Sequence, residues 1–205
     1  MNTVNASASL NKSKFLGANW KCNLETTSAV DELVDDLNRM WRSLSRAETR
    51  GVELCVNPPF SFIDRVRSRL HKGMSAGSQN ASDARGPDRK NTGATSLLML
   101  RSVGCEGVLL SHSDRRNTLG ETDEVIAEKV RGAIEAGLSV TLTIGELRSQ
   151  RDKGRALDTL RKQLGIVAKA KMHGVTLLWH TSPYGRSVRV QHRARPKRHS
   201  VSMPR

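Results

Sequence analysis

The sequence predicts an α/β protein of the (β/α)8 barrel type, incomplete, with about six βα units followed by an irregular basic tail. Short apolar runs are continuous rather than alternating, as in buried parallel strands. Amphipathic stretches of helical period separate them. The unit recurs roughly every 30 to 35 residues, the size of a βα crossover.

The runs are Phe15–Asn19, Val52–Val56, Met74–Gly77, Gly107–Leu110, Val140–Ile144 and Val175–Leu178. Val30, Leu33, Val34, Leu37 and Trp41 recur at helical spacing over 29–45, and Phe62, Val66 and Leu70 over 60–71. A third stripe, Val125, Ile126, Val130, Ala133 and Ile134, predicts a helix over 123–136, with Thr122 or Asp123 placed to cap it. Leu157, Leu160, Leu164 and Val167 predict a helix over 155–171. Strict alternation leaves an open doubly wound sheet or a barrel. The first run leads into Trp20-Lys21-Cys22-Asn23 rather than a GxGxxG cradle, and there is no Walker A lysine, so the barrel is favoured. A full barrel takes about 250 residues; at 205 residues this chain stops roughly two units short.

Composition narrows the function. Lysine and arginine total 34 against 20 acidic residues, a net charge of +14. Seven cations and no anion lie in 179–205, so half of that balance sits in the tail. Nothing resembles a membrane span, and the first fourteen residues, read as a disordered extension, lack the apolar core of a secretory signal. Cys22, Cys55 and Cys105 form an odd set without CxxC spacing, which favours free thiols in a reducing compartment over a disulfide framework or zinc site.

In βα proteins, chemistry gathers where strands pass into loops. Those points hold Asn19 and Lys21 after the first run, His112, Asp114, Arg115 and Arg116 after the fourth, and Gly145 and Glu146 after the fifth. Each has a bland reading: a solvated lysine, a structural histidine, a surface salt-bridge cluster around Asp114 worth little. Together on one rim they would present an ammonium, an amide and an imidazole to a small polar substrate.

Gly17-Ala18-Asn19-Trp20-Lys21-Cys22-Asn23 closely resembles the segment after the first strand of the triose-phosphate isomerase family. Ser111-His112-Ser113-Asp114-Arg115-Arg116, followed by Leu119-Gly120-Glu121-Thr122-Asp123-Glu124, resembles that family's active-site histidine segment. Asn57-Pro58-Pro59-Phe60, Gly77-Ser78-Gln79-Asn80, Thr92-Gly93 and Ile144-Gly145-Glu146 match in the family's order across 15–178. The resemblance implies a TIM barrel that interconverts dihydroxyacetone phosphate and glyceraldehyde 3-phosphate in glycolysis and gluconeogenesis. It implies no metal or organic cofactor, a homodimer, and a cytoplasmic setting. Lys21 would face the substrate phosphate, and Asn19 would donate a hydrogen bond to a substrate oxygen. His112 would be the catalytic imidazole, acting neutral, with a nearby helix N-terminus lowering its pKa. Asp114 stands where the family has glutamate and would support Lys21. Ala94 stands where the family has a glutamate reaching into the partner subunit, which weakens the case for a dimer here.

After Leu178 the family continues Ala-Tyr-Glu-Pro-Val-Trp-Ala-Ile-Gly-Thr-Gly, the stretch that carries its base and lid. This chain runs Trp179-His180-Thr181-Ser182-Pro183-Tyr184-Gly185-Arg186 instead. New codons built from the last base of each codon and the first two of the next begin with GCA, alanine, across Trp179 and His180. They can then spell the family's segment through Val190, and a family-like string again between Arg195 and Pro204. The tail 179–205 therefore reads as a frame-shifted remainder, with Ser182 at the base's position. The expected product is a partial barrel with open sheet edges, an apolar interior facing water and negligible isomerase activity. Competing expectations are a non-catalytic paralogue, another phosphate-handling barrel, and a basic-tailed nucleic-acid binder. The last is disfavoured because no aromatic residue follows Tyr184 for base stacking.

Overall fold

The computed structural model describes residues 14–82, 92–168, 175–179 and 188–191. The extension read over 1–14 lies outside these residues apart from Lys14, which opens the first strand, and most of the tail also lies outside them.

Six parallel strands pair in chain order: β1 (Lys14–Asn19), β2 (Val52–Asn57), β3 (Ser75–Ser78), β4 (Gly107–Leu110), β5 (Ser139–Ile144) and β6 (Val175–Trp179). They form a curled half-barrel with helices between them. Each apolar run of the sequence is a strand, its ends moved by a residue or so. The long amphipathic stretches are α1 (Thr27–Ser43), α3 (Ile63–Arg69), α6 (Asp123–Glu135) and α8 (Ala156–Ala168). Thr122 caps α6 by accepting the Val125 N–H. Four short helices carry too few turns for a periodic stripe and escape the sequence pattern: α2 (Arg46–Thr49), α4 (Leu97–Ser102), α5 (Ser113–Asn117) and α7 (Arg148–Asp152).

One departure falls in the tail read as irregular. Val188–Gln191 forms β7, antiparallel to β6, with Leu177 opposite Val190 and Trp179 opposite Val188. The cause is physical: β6 would otherwise present an unpaired edge, and the Val188-Arg189-Val190-Gln191 alternation suits a strand. At the other end of the sheet β1 pairs, among the described residues, with β2 alone, and Leu16 is 56% exposed.

Alternation across the strands sends their branched residues outward to the helices. Val56 and Ala76 pack with Val30 and Val34 of α1 and Val66 of α3. Val108, Leu110, Val140 and Leu142 pack with Ile126, Val130 and Ala133 of α6. The opposite, concave face carries register rows such as Gly17–Cys55–Ser75 and Gly77–Gly107–Ser139. The interior expected to be apolar is thus largely small or polar on its described strands. Gly77 is required there, since a Cβ would lie 2.4 Å from Asn57 Oδ1.

At the other end of the strands, buried Asn38 of α1 ties down the end of α3. Its Nδ2 donates to the Arg69 carbonyl at 2.9 Å, and its Oδ1 accepts the His71 N–H at 2.7 Å. Satisfying two buried backbone groups explains an amide on the apolar stripe. This packing fixes the strands whose C-terminal ends form the rim.

Candidate active site

The parallel register sets the ends of β1 and β2 side by side, with Asn19 opposite Asn57. The chain then turns sharply. Trp20 N donates to the Asn57 carbonyl at 3.1 Å, and Lys21 N donates to Asn19 Oδ1 at 2.9 Å. Gln79, just past β3, donates from Nε2 to the Lys21 and Asn57 carbonyls at 2.8 and 3.1 Å. These bonds hold Lys21 at φ 51°, a left-handed backbone that costs a non-glycine residue about 1–2 kcal/mol.

His112 enters the same rim from β4. It is the N-cap of α5, and its Nδ1 accepts the Asp114 N–H at 3.3 Å. The Asp114 carboxylate links the two strand ends: Oδ2 lies 3.1 Å from Lys21 Nζ and 3.1 Å from His112 Nδ1. A single ring nitrogen cannot both accept the backbone N–H and donate to the carboxylate. The Lys21 ammonium on the same oxygen partly offsets the carboxylate's charge beside the ring. Lys21 and Asp114 are more than half exposed, so their ion pair adds little stability and leaves the ammonium open to a ligand.

Arg115 and Arg116 are not the solvated surface cluster of the bland reading. Arg116 donates from Nε to Ser111 Oγ at 2.6 Å and from Nη1 to Asp123 Oδ1 at 2.5 Å. Arg115 reaches Glu121 Oε1, which also accepts Lys129 Nζ of α6 at 2.7 Å and Asn80 Nδ2 at 3.3 Å. Glu121 and Lys129 side chains are 6% and 5% exposed, and Glu121 Oε2 is buried without a partner. This network fastens α5, and with it His112, to β3 and α6. Glu146, after β5, is enclosed and paired with Arg151. A cavity of about 370 Å³ beside the rim is lined by Ser111, Ser113, Arg116, Thr143, Gly145 and Glu146 among others; Lys21 and His112 do not line it. Cys22 is exposed, Cys55 and Cys105 are buried, and all three are free thiols. Burial pushes the Cys55 thiol up to about 12 and Cys105 to about 11, so both remain protonated and inert at neutral pH.

The structure thus brings Asn19, Lys21, His112 and Asp114 to one rim. Sequence reasoning did not single out the Gln79 clamp, the Ser111–Arg116 bond or the Glu121–Lys129 pair. Gln79 and Glu121 stood inside the quoted strings, but nothing in a string shows which backbone group a side chain will meet.

The triosephosphate isomerase family profile matches residues 14–176. The chain belongs to the triosephosphate isomerase family. It is 37% identical over 156 residues to the chloroplastic triosephosphate isomerase of Arabidopsis thaliana, covering 76% of this chain and 47% of that protein. The cytosolic triosephosphate isomerase of Oryza sativa subsp. japonica is 36% identical over 155 residues, 76% of this chain and 58% of that protein. The triosephosphate isomerase of Pseudomonas aeruginosa (strain LESB58) is 37% identical over 154 residues, with 75% and 58% covered. The chain therefore spans about half the length of the curated relatives it matches.

The buried Glu121–Lys129 pair gives a stability prediction. Burial raises the Glu121 pKa, but hydrogen bonds from Lys129 and Arg115, and their charges, outweigh it and lower it below the ordinary 4.5. Its contribution is therefore complete above that ordinary value and is lost as pH falls through the lowered native one. Urea unfolding across the acid range should show Glu121→Gln flattening this dependence. At neutral pH the same variant should lose about 3–5 kcal/mol, because Lys129 is left buried without a countercharge, its remaining partner being the neutral Asn80 Oδ1. Glu121→Leu combined with Lys129→Met should recover most of that loss.

Proposed function

We infer that the rim of Asn19, Lys21 and His112 is the substrate-binding part of an isomerase site for a phosphorylated three-carbon sugar, dihydroxyacetone phosphate or glyceraldehyde 3-phosphate. The observation that carries the reading is the convergence of Lys21 Nζ and His112 Nδ1 on one oxygen of Asp114, each at 3.1 Å. An ammonium there can leave the carboxylate for a substrate phosphate and for the negative charge of an enediolate. Asn19 uses its Oδ1 on the Lys21 N–H, which turns its amide nitrogen toward donation to a substrate oxygen. A ring that accepts the Asp114 N–H on Nδ1 carries its proton on Nε2, where it can polarise a carbonyl and pass a proton between neighbouring oxygens.

Turnover also needs a base to remove a carbon-bound proton. The position read for it, Ser182, lies outside the described residues and is a hydroxyl rather than a carboxylate. Loss of a positioned base costs about 10²–10⁴ in rate, so this chain binds the substrate class with negligible isomerisation. The three free thiols suit the reducing cytosol, and the relatives this chain resembles include a cytosolic one. The family's glycolytic and gluconeogenic placement and its freedom from metal and cofactor complete the reading; its homodimer is the parent's state, and Ala94 in place of the glutamate that reaches into the partner subunit argues against it in this chain.

A coupled assay of triose interconversion on the purified 205-residue chain should give the same rate as His112→Ala; turnover clearly above that variant overturns the loss of activity. Sequencing the transcript across codons 170–205 should expose a second frame that continues the family's segment after Leu178. An uninterrupted frame with the present tail in related genes contradicts the frame-shift.

A further inference from the structure

Among the described non-glycine residues, only Lys21 and Ser111 hold a positive φ, and Ser111 stands at 67° immediately before His112. An L-residue does not keep that backbone unless its surroundings impose it. Lys21 is held by the Asn19 and Gln79 bonds. For Ser111 the restraint acts through its side chain. The residue is 1% exposed, and its Oγ accepts from Arg116 Nε at 2.6 Å. Arg116 is itself fixed: Nη1 donates to Asp123 Oδ1 at 2.5 Å, with the two side chains 14% and 11% exposed. Asp123 opens α6, and its other oxygen lies 3.8 Å from Lys162 Nζ on α8.

The bond from Arg116 to Ser111 closes a ring around the first turn of α5, whose backbone bonds run from Arg115 N and Arg116 N to the His112 carbonyl. His112 lies inside that ring, between its two anchors. The backbone torsions at Ser111, with φ 67°, and at His112 set the direction of the Cα–Cβ bond from which the imidazole projects, so the bond to the Ser111 hydroxyl bears on where the ring can reach.

We propose that Arg116 is the positioning residue for His112: pinned to α6 by Asp123, it grips the Ser111 hydroxyl and keeps the left-handed turn that sets the imidazole beside Lys21. This deepens the reading of His112 as the reacting imidazole and rests on it. It has a consequence that a purely structural salt bridge lacks. Glycine adopts this backbone without a restraint, so Ser111→Gly makes Arg116 dispensable for the orientation of the ring.

The test is nitrogen NMR of the histidine rings, which reads which nitrogen carries the proton, on the full chain and on Arg116→Ala, Ser111→Gly and the double variant. The unaltered chain shows a single neutral form of His112, protonated on Nε2, with Nδ1 accepting the Asp114 N–H. Arg116→Ala loses that signature and gives a mixture of ring forms. Ser111→Gly keeps it, and so does Ser111→Gly with Arg116→Ala. Arg131→Ala, which removes an exposed pair with Glu128, leaves it unchanged. Arg116→Gln, alone and with Ser111→Gly, replaces the alanine variants if those do not fold. An unchanged His112 ring in Arg116→Ala overturns the proposal. So does a double variant that behaves like Arg116→Ala, and so does a lower melting temperature with no change at the ring. Titrating the unaltered chain with dihydroxyacetone phosphate separates this from the functional reading: silence at Lys21 and His112 defeats that reading, whereas the ring forms in the variants judge Arg116.

Discussion

The parallel register from β1 to β6 is the constraint on which the rest depends. It is set by backbone hydrogen bonds and by branched side chains that alternate onto the helix layer, where Val56, Val108 and Val140 are buried. A slip of one residue would turn those valines into the concavity and Gly77 or Cys55 toward the helices. With the register fixed, the loop after β1 and the loop after β4 arrive on the same rim although ninety-three positions separate Lys21 from Asp114. The polar groups there are consequences of strand pairing rather than contributors to it, since the Lys21–Asp114 pair is too exposed to stabilise the fold.

Around this rim the molecule holds two strained residues, Lys21 and Ser111, and each is held by buried or half-buried polar side chains. Gln79, Arg116 and Glu121 each connect a rim loop to a neighbouring strand or helix. Preorganisation of this kind lets a small site act without reorganising when charge develops. It also explains why the charged residues after β4 are enclosed: Arg116 and Glu121 are fasteners, whereas Lys21 and Asp114 meet solvent.

Much of the fold was legible because burial leaves a periodic trace. Apolar positions such as Val140, Leu142 and Ile144 mark the face of a strand turned to the helix layer, and the stripe through Ile126, Val130 and Ala133 marks the helix that covers them. Thr122 was readable as a cap because few residue types can accept a helix's first N–H groups. Short helices such as Arg148–Asp152 were not readable, being barely longer than a turn. Val188–Gln191 was missed because its pairing depends on the open edge of β6, a property of the sheet rather than of that segment. At the site, Asn19, Lys21 and His112 could be placed on loops after strands and matched to a family's strings. The left-handed backbone of Ser111 could not, because a serine carries no mark of φ, and neither could the buried Arg116–Asp123 bond that accompanies it.

The central claim is spatial: the loop after β1 and the histidine after β4 face each other across one rim. The exposed thiol of Cys22, next to Lys21, permits a direct test because Cys55 and Cys105 are buried and resist labelling. With a nitroxide attached to Cys22, the NMR signals of the His112 ring and of Asp114 should be strongly broadened. Those of His71, at the opposite end of the strands, should be nearly unaffected. A His112 ring that stays as sharp as His71 would contradict the account.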